Sequence, residues 1–99
     1  MKIKVQSIHF DADTKLVDYV TEKAEKLCRF YEHIVDGEIF LKLERSETHE
    51  NKLVEFKIHV PGKILFSREM RNSFENAADI AFEAMEKQVK KEKDRMRKL

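Results

Sequence analysis

The sequence predicts an α+β two-layer sandwich of order β-α-β-β-β-α, with a four-stranded sheet covered on one face by two helices. Three observations carry this reading. Apolar residues alternate with period two in four short segments, they recur with helical spacing in two longer ones, and Pro61-Gly62 punctuates the chain between two of the alternating segments.

The first segment, "KIKVQSIHF", alternates through Ile3, Val5 and Ser7 and reads as a strand. The pattern then switches. Leu16, Val20, Ala24, Leu27 and Tyr31 share one helical face, with Asp13 placed to cap the first turn and the helix ending before Gly37. "EIFLKLERSE" alternates through Ile39, Leu41 and Leu43, and the polar "ERSETHENK" reads as a loop. Val54, Phe56, Ile58 and Val60 form the next strand, which Pro61-Gly62 turns back into "KILFSREM" as a hairpin. Phe74, Ala78, Ala81, Met85 and Val89 mark one face of the last helix, with Ser73 as its cap. A helix joining two neighbouring strands implies a parallel crossover, and the later strands an antiparallel meander. Without its first strand the order matches that of double-stranded RNA-binding domains.

The 99 residues are expected to form one domain, residues 1–99. Two glycines and one proline leave little room for flexible linkers, and no stretch approaches the length of a membrane span. The N-terminus lacks the apolar run of a signal peptide. Cys28 is alone, which rules out an internal disulfide and fits a reducing compartment. The expectation is a soluble cytoplasmic protein that makes no membrane contact.

Catalytic and metal chemistry find no support in the residue spacing. His9, His33, His49 and His59 stand in no metal-ligand spacing with one another or with Cys28. No phosphate-binding glycine loop, GxSxG or HExxH occurs. A non-enzymatic protein without a cofactor is expected. His9 and His59 read as surface or sheet-edge residues, and Cys28 as half-buried.

The basic residues say more. The net charge of +1 hides an uneven distribution: residues 87–98 hold seven basic and two acidic residues, a local +5 against −4 elsewhere. Helical spacing puts Lys87, Lys91, Arg95 and Lys98 on one stripe and Lys90 and Arg97 on a second row. On the first helix Lys23, Lys26 and Arg29 form a basic row, read as facing away from Ala24 and Leu27, and Tyr19 and Phe30, which flank the Lys23–Lys26 edge, are the aromatic candidates for RNA contact. Two such rows side by side suit a phosphate backbone, because each neutralised phosphate releases condensed counterions. The same lysines also suit a solvated helix end, where cations complement the helix dipole. Phe66, Phe74 and Phe82 fall on or beside apolar faces and read as core.

Three segments resemble the ribosome hibernation promoting factors and ribosome-associated translation inhibitors. "YVTEKAEKLCRFYEHI" resembles their first helix, "VEFKIHVPGKILFSRE" their central hairpin and "NAADIAFEAMEKQVKKEK" their second helix. The resemblance spans essentially the whole chain. It implies binding near the decoding centre of the small ribosomal subunit through its 16S-type RNA. Messenger RNA and tRNA would be excluded there, and translation inhibited in stress or stationary phase. Further hibernation factors are implied as partners, and the free protein is expected to be monomeric. The matching basic positions are Lys23, Lys26, Arg29, Lys87, Lys90, Lys91 and Lys93; Arg95 joins them from the helical stripe. Asp79, Gln88 and His33 match recurrent family positions. Ala84 and Glu22 depart from it, standing where many members carry a base. Long members continue through a linker into a second domain, so the resemblance here is to the short form. Two other readings fit the basic helix: a module that binds an acidic protein, and a generic double-stranded RNA binder.

Overall fold

The structure, a computed structural model, describes residues 2–44 and 49–97. Its elements are β1 (Ile3–Ile8), α1 (Thr14–Phe30), β2 (Asp36–Leu43), β3 (Lys52–Val60), β4 (Lys63–Arg71) and α2 (Phe74–Arg97). The strands lie in the order β1-β2-β3-β4. β1 pairs with β2 in parallel, and β2, β3 and β4 form the antiparallel meander. Residues 45–48 of the expected loop over residues 44–52 lie outside the described residues, but Glu44 N donates to Asn51 O at 2.9 Å where the two strands resume pairing.

Local chemistry explains the boundaries. Asp13 caps α1 by accepting from Leu16 N at 2.8 Å, and Ser73 Oγ accepts from Asn76 N at 3.1 Å at the start of α2. Gly62, with φ +84°, provides the left-handed residue of the β3–β4 turn. Helix α1 stops at Phe30, seven residues short of Gly37, because the chain must leave the helix to enter β2.

The register sends Ile39 and Leu41 of β2, Val54, Phe56, Ile58 and Val60 of β3 and Leu65 of β4 to the helical side of the sheet. Leu16, Val20, Ala24 and Leu27 of α1 meet them, with Ala78, Ala81, Met85 and Val89 of α2. Burial of this single cluster is the main stabilising contribution, at roughly 25 cal/mol per Å² of apolar surface removed from water. Phe82 and Tyr31 join the core, whereas Phe74 is half-buried and stacks on Phe10 with ring centroids 4.9 Å apart. Phe66 faces outward from β4 and is exposed, contrary to its reading as core: it is one residue out of phase with Leu65.

Candidate nucleic-acid interface

The two helices meet along a seam that begins with three polar side chains. Tyr19 Oη donates to Asp79 Oδ1 at 2.5 Å, and Lys23 Nζ lies 2.9 Å from the same oxygen. These bonds hold the Asp79 carboxyl below its ordinary range, the tyrosine bond contributing most. The bond to Asp79 in turn pushes the Tyr19 hydroxyl up to about 12. Lys23 also lies over the rings of Phe82 and Tyr19, 4.8 and 5.0 Å from their centroids. It therefore lies in the helix–helix seam, and not on the outward side of α1 where a helical wheel alone had it.

Further along, the seam opens into a cleft of about 360 Å³ lined by Lys26 and Leu27, Phe30 of α1, and Glu86, Lys87 and Lys90 of α2. Three ammonium groups rim an apolar floor. Phe30 is 45% exposed and forms one wall. Lys93 Nζ lies 4.4 Å from the centroid of that ring and donates to Phe30 O at 3.0 Å, which satisfies a carbonyl left free at the helix end. Beyond Phe30 lies a second cleft of about 380 Å³ lined by Arg29, Phe30, Tyr31, Glu32, His33, Lys93, Met96 and Arg97.

The basic residues expected to act together divide into two groups. Lys26, Arg29, Lys87, Lys90 and Lys91 hold no ion pair among the described residues. Lys23, Lys93 and Arg95 are engaged within the fold. Arg95 is not left free beside Lys91; it pairs with Glu92, whose carboxylate also lies 2.7 Å from Lys63 at the start of β4. Glu92 is only 2% exposed, and its two cations hold its carboxyl below the ordinary range, Arg95 more than Lys63. Lys98 lies outside the described residues. Gln88 donates to Phe66 O at 2.7 Å on β4, and Asp79 ties the helices together, so both residues have structural roles. The second cleft adds Arg97, whose guanidinium lies 3.9 Å from Asp94, to the basic side chains at the end of the seam, with His33 beside it. Arg97, four residues after Lys93 and seven after Lys90, was legible as part of that helical row.

Cys28 is half-buried, and desolvation, the dominant influence, raises its thiol pKa, which makes it a poor nucleophile at neutral pH. The described residues contain no group of three potential metal ligands and no helix long and apolar enough to cross a membrane.

The fold and seam define a class: a small α+β sandwich that presents, along two adjacent helices, cations without an ion pair among the described residues. The family described as Sigma 54 modulation protein / S30EA ribosomal protein matches residues 3–97, and the chain belongs to it. A ribosome hibernation promotion factor of Bacillus subtilis is 28% identical over 96 residues, covering 97% of this chain and 50% of its own length. One from Deinococcus radiodurans is 32% identical over 82 residues, 82% of this chain and 43% of its own. The chain thus spans about half the length of these two relatives. A ribosome hibernation promoting factor of Pseudomonas putida aligns at 22% identity over the whole chain and 93% of its own. Among solved structures, a ribosomal subunit interface protein from Coxiella burnetii superposes with a TM-score of 0.80 at 19% identity, covering 95% of this chain and 99% of that one. The N-terminal domain of Thermus thermophilus Protein Y gives 0.77 at 24%, covering 92% and 98%. Both share the fold.

Proposed function

We propose that this chain is a ribosome hibernation factor that binds the small ribosomal subunit through its RNA and inhibits translation without covalent chemistry. The observation that carries the reading is the set of cations without an ion pair among the described residues, Lys26, Arg29, Lys87 and Lys90 lining the clefts between the two helices and Lys91 exposed on α2, on a chain whose relatives are named for ribosome hibernation. The sheet holds the two helices at fixed separation, so the cations meet phosphates as a preformed surface and little ordering entropy is lost on binding. Phosphate contacts of this type position a protein without reading sequence. Specificity then comes from the shape of the RNA channel, near the decoding centre, and the bulk of the domain excludes messenger RNA and tRNA from it.

Co-sedimentation with purified small subunits tests the reading. Reversal of Lys87, Lys90 and Lys91 to Glu is expected to abolish binding at near-physiological salt while the circular dichroism spectrum stays unchanged. Undiminished binding by the folded variant overturns the assignment of the surface. Equal affinity for any A-form duplex would identify a generic double-stranded RNA binder. Failure of the wild-type chain to bind subunits at low salt would point to an acidic protein partner.

A further inference from the structure

Phe30 stands between the two clefts at the C-terminal end of α1, and its faces are not equivalent. Lys93, whose ammonium lies 4.4 Å from the ring centroid, lines the cleft that contains Arg29, His33 and Arg97. It does not line the other cleft, where the ring meets Leu27 and the lysines Lys26, Lys87 and Lys90. An aromatic side chain that is 45% exposed at a helix end contributes little to the core, yet this one is held by a cation behind it and by the hydrogen bond from Lys93 to its own carbonyl.

We propose that the lysine-rimmed cleft takes one unstacked nucleobase of a single-stranded RNA segment, stacked on the open face of Phe30. The inference rests on the RNA-binding reading of the same surface and deepens it from phosphate contact to recognition of an unpaired nucleotide. The volume of about 360 Å³ falls within the roughly 300–1,000 Å³ of small-ligand sites. Its wall of Phe30, with Leu27 beneath, offers a base an apolar surface, and its rim offers three ammonium groups to the flanking phosphates against one carboxylate, Glu86. A duplex cannot use such a site, because its bases are stacked on one another. Lys93, on the opposite face, orients the ring and remains free of the base.

A single-stranded RNA octamer carrying one 2-aminopurine, and the same strand annealed as a duplex, test this together with small-subunit binding. The wild-type chain is expected to change the fluorescence of the single strand and not that of the duplex at low salt. Phe30→Ala should abolish that change and weaken subunit binding roughly 5- to 150-fold, the factor corresponding to aromatic–base stacking. Phe30→Trp should retain both, and the salt dependence should be the same in all three proteins, since no phosphate contact is altered. Undiminished binding by Phe30→Ala, or no fluorescence change with the wild type, overturns the stacking site. Loss of the stacking site alone leaves the RNA surface standing; that surface fails if reversing Lys87, Lys90 and Lys91 to Glu also leaves subunit binding intact.

Discussion

Tyr19 on α1 donates its hydroxyl to Asp79 on α2 at 2.5 Å, across 60 residues of sequence, and Lys23 completes the cluster from the next turn of α1. Among the described residues this cluster and the bond from Lys93 to Phe30 O are the polar ties between the helices, and they help to fix how the two basic rows face each other. The Asp79 carboxyl titrates below its unfolded value, so its contribution to stability is present above about pH 4 and is lost as pH falls through the folded value. The Tyr19 hydroxyl titrates above its unfolded value of 10.0, at about 12, so its contribution is present below pH 10 and is lost as pH rises toward 12. Asp79→Asn should lower stability at pH 7 by about 1–2 kcal/mol and flatten both limbs of the stability–pH profile. Urea unfolding between pH 3 and pH 11 checks this; an unchanged acid limb in the variant would remove Asp79 from the account.

Glu92 is a buried carboxylate held by two exposed cations, Lys63 and Arg95. Removing the acid leaves both cations free to hydrate, so the penalty should fall below the roughly 3–5 kcal/mol of stranding a buried charge. Glu92→Gln is expected to destabilise by about 1–3 kcal/mol and to raise hydrogen exchange in the last turns of α2 and at the start of β4. The folded carboxyl titrates low, so the difference between wild type and variant should shrink as pH falls below about 4. A difference that persists undiminished at pH 3 would show that charge is not what Glu92 contributes.

The alternation of β2 and β3, the caps Asp13 and Ser73 and the hairpin turn were all legible because each depends on neighbours within a few residues. What could not be read was which side of a helix faces which partner. Glu92 follows Val89 by three residues and Met85 by seven, a core position on α2, but within a run of lysines it registers only as one acid. Its burial depends on Lys63, 29 positions away. Lys23, Lys26 and Arg29 share a spacing yet end in different surroundings: the seam, the lysine-rimmed cleft and the end of α1. Phe30 was visible as an aromatic beside a basic row, and only the packing of α2 reveals its exposure and the cation on one of its faces.

Tyr31 is 2% exposed and its hydroxyl has no hydrogen-bond partner among the described residues. A buried hydroxyl without a partner gives up its hydration for nothing in return. Tyr31→Phe keeps the ring, which packs in the core and lies edge-on to His33 with centroids 5.5 Å apart. Thermal and urea unfolding should show the variant as stable as the wild type or more so, by up to about 1 kcal/mol. A clear loss of stability would mean that the hydroxyl has a partner, such as a buried water.

Lys91 and Arg95 share a helical spacing but should fail in different assays. Lys91 is exposed and holds no ion pair among the described residues, so Lys91→Ala should leave the melting temperature unchanged. If it meets a phosphate, the variant should weaken subunit binding and reduce the slope of log K against log salt by roughly 0.7–0.9, the effect of one lost contact. Arg95 spends its guanidinium on Glu92, so Arg95→Ala should lower the melting temperature and leave the salt slope nearly unchanged. Binding and melting measured on both variants separate the two roles. Equal slope losses with equal stability would mean that Arg95 releases Glu92 on the ribosome and contacts RNA directly, while Lys63 alone holds the carboxylate.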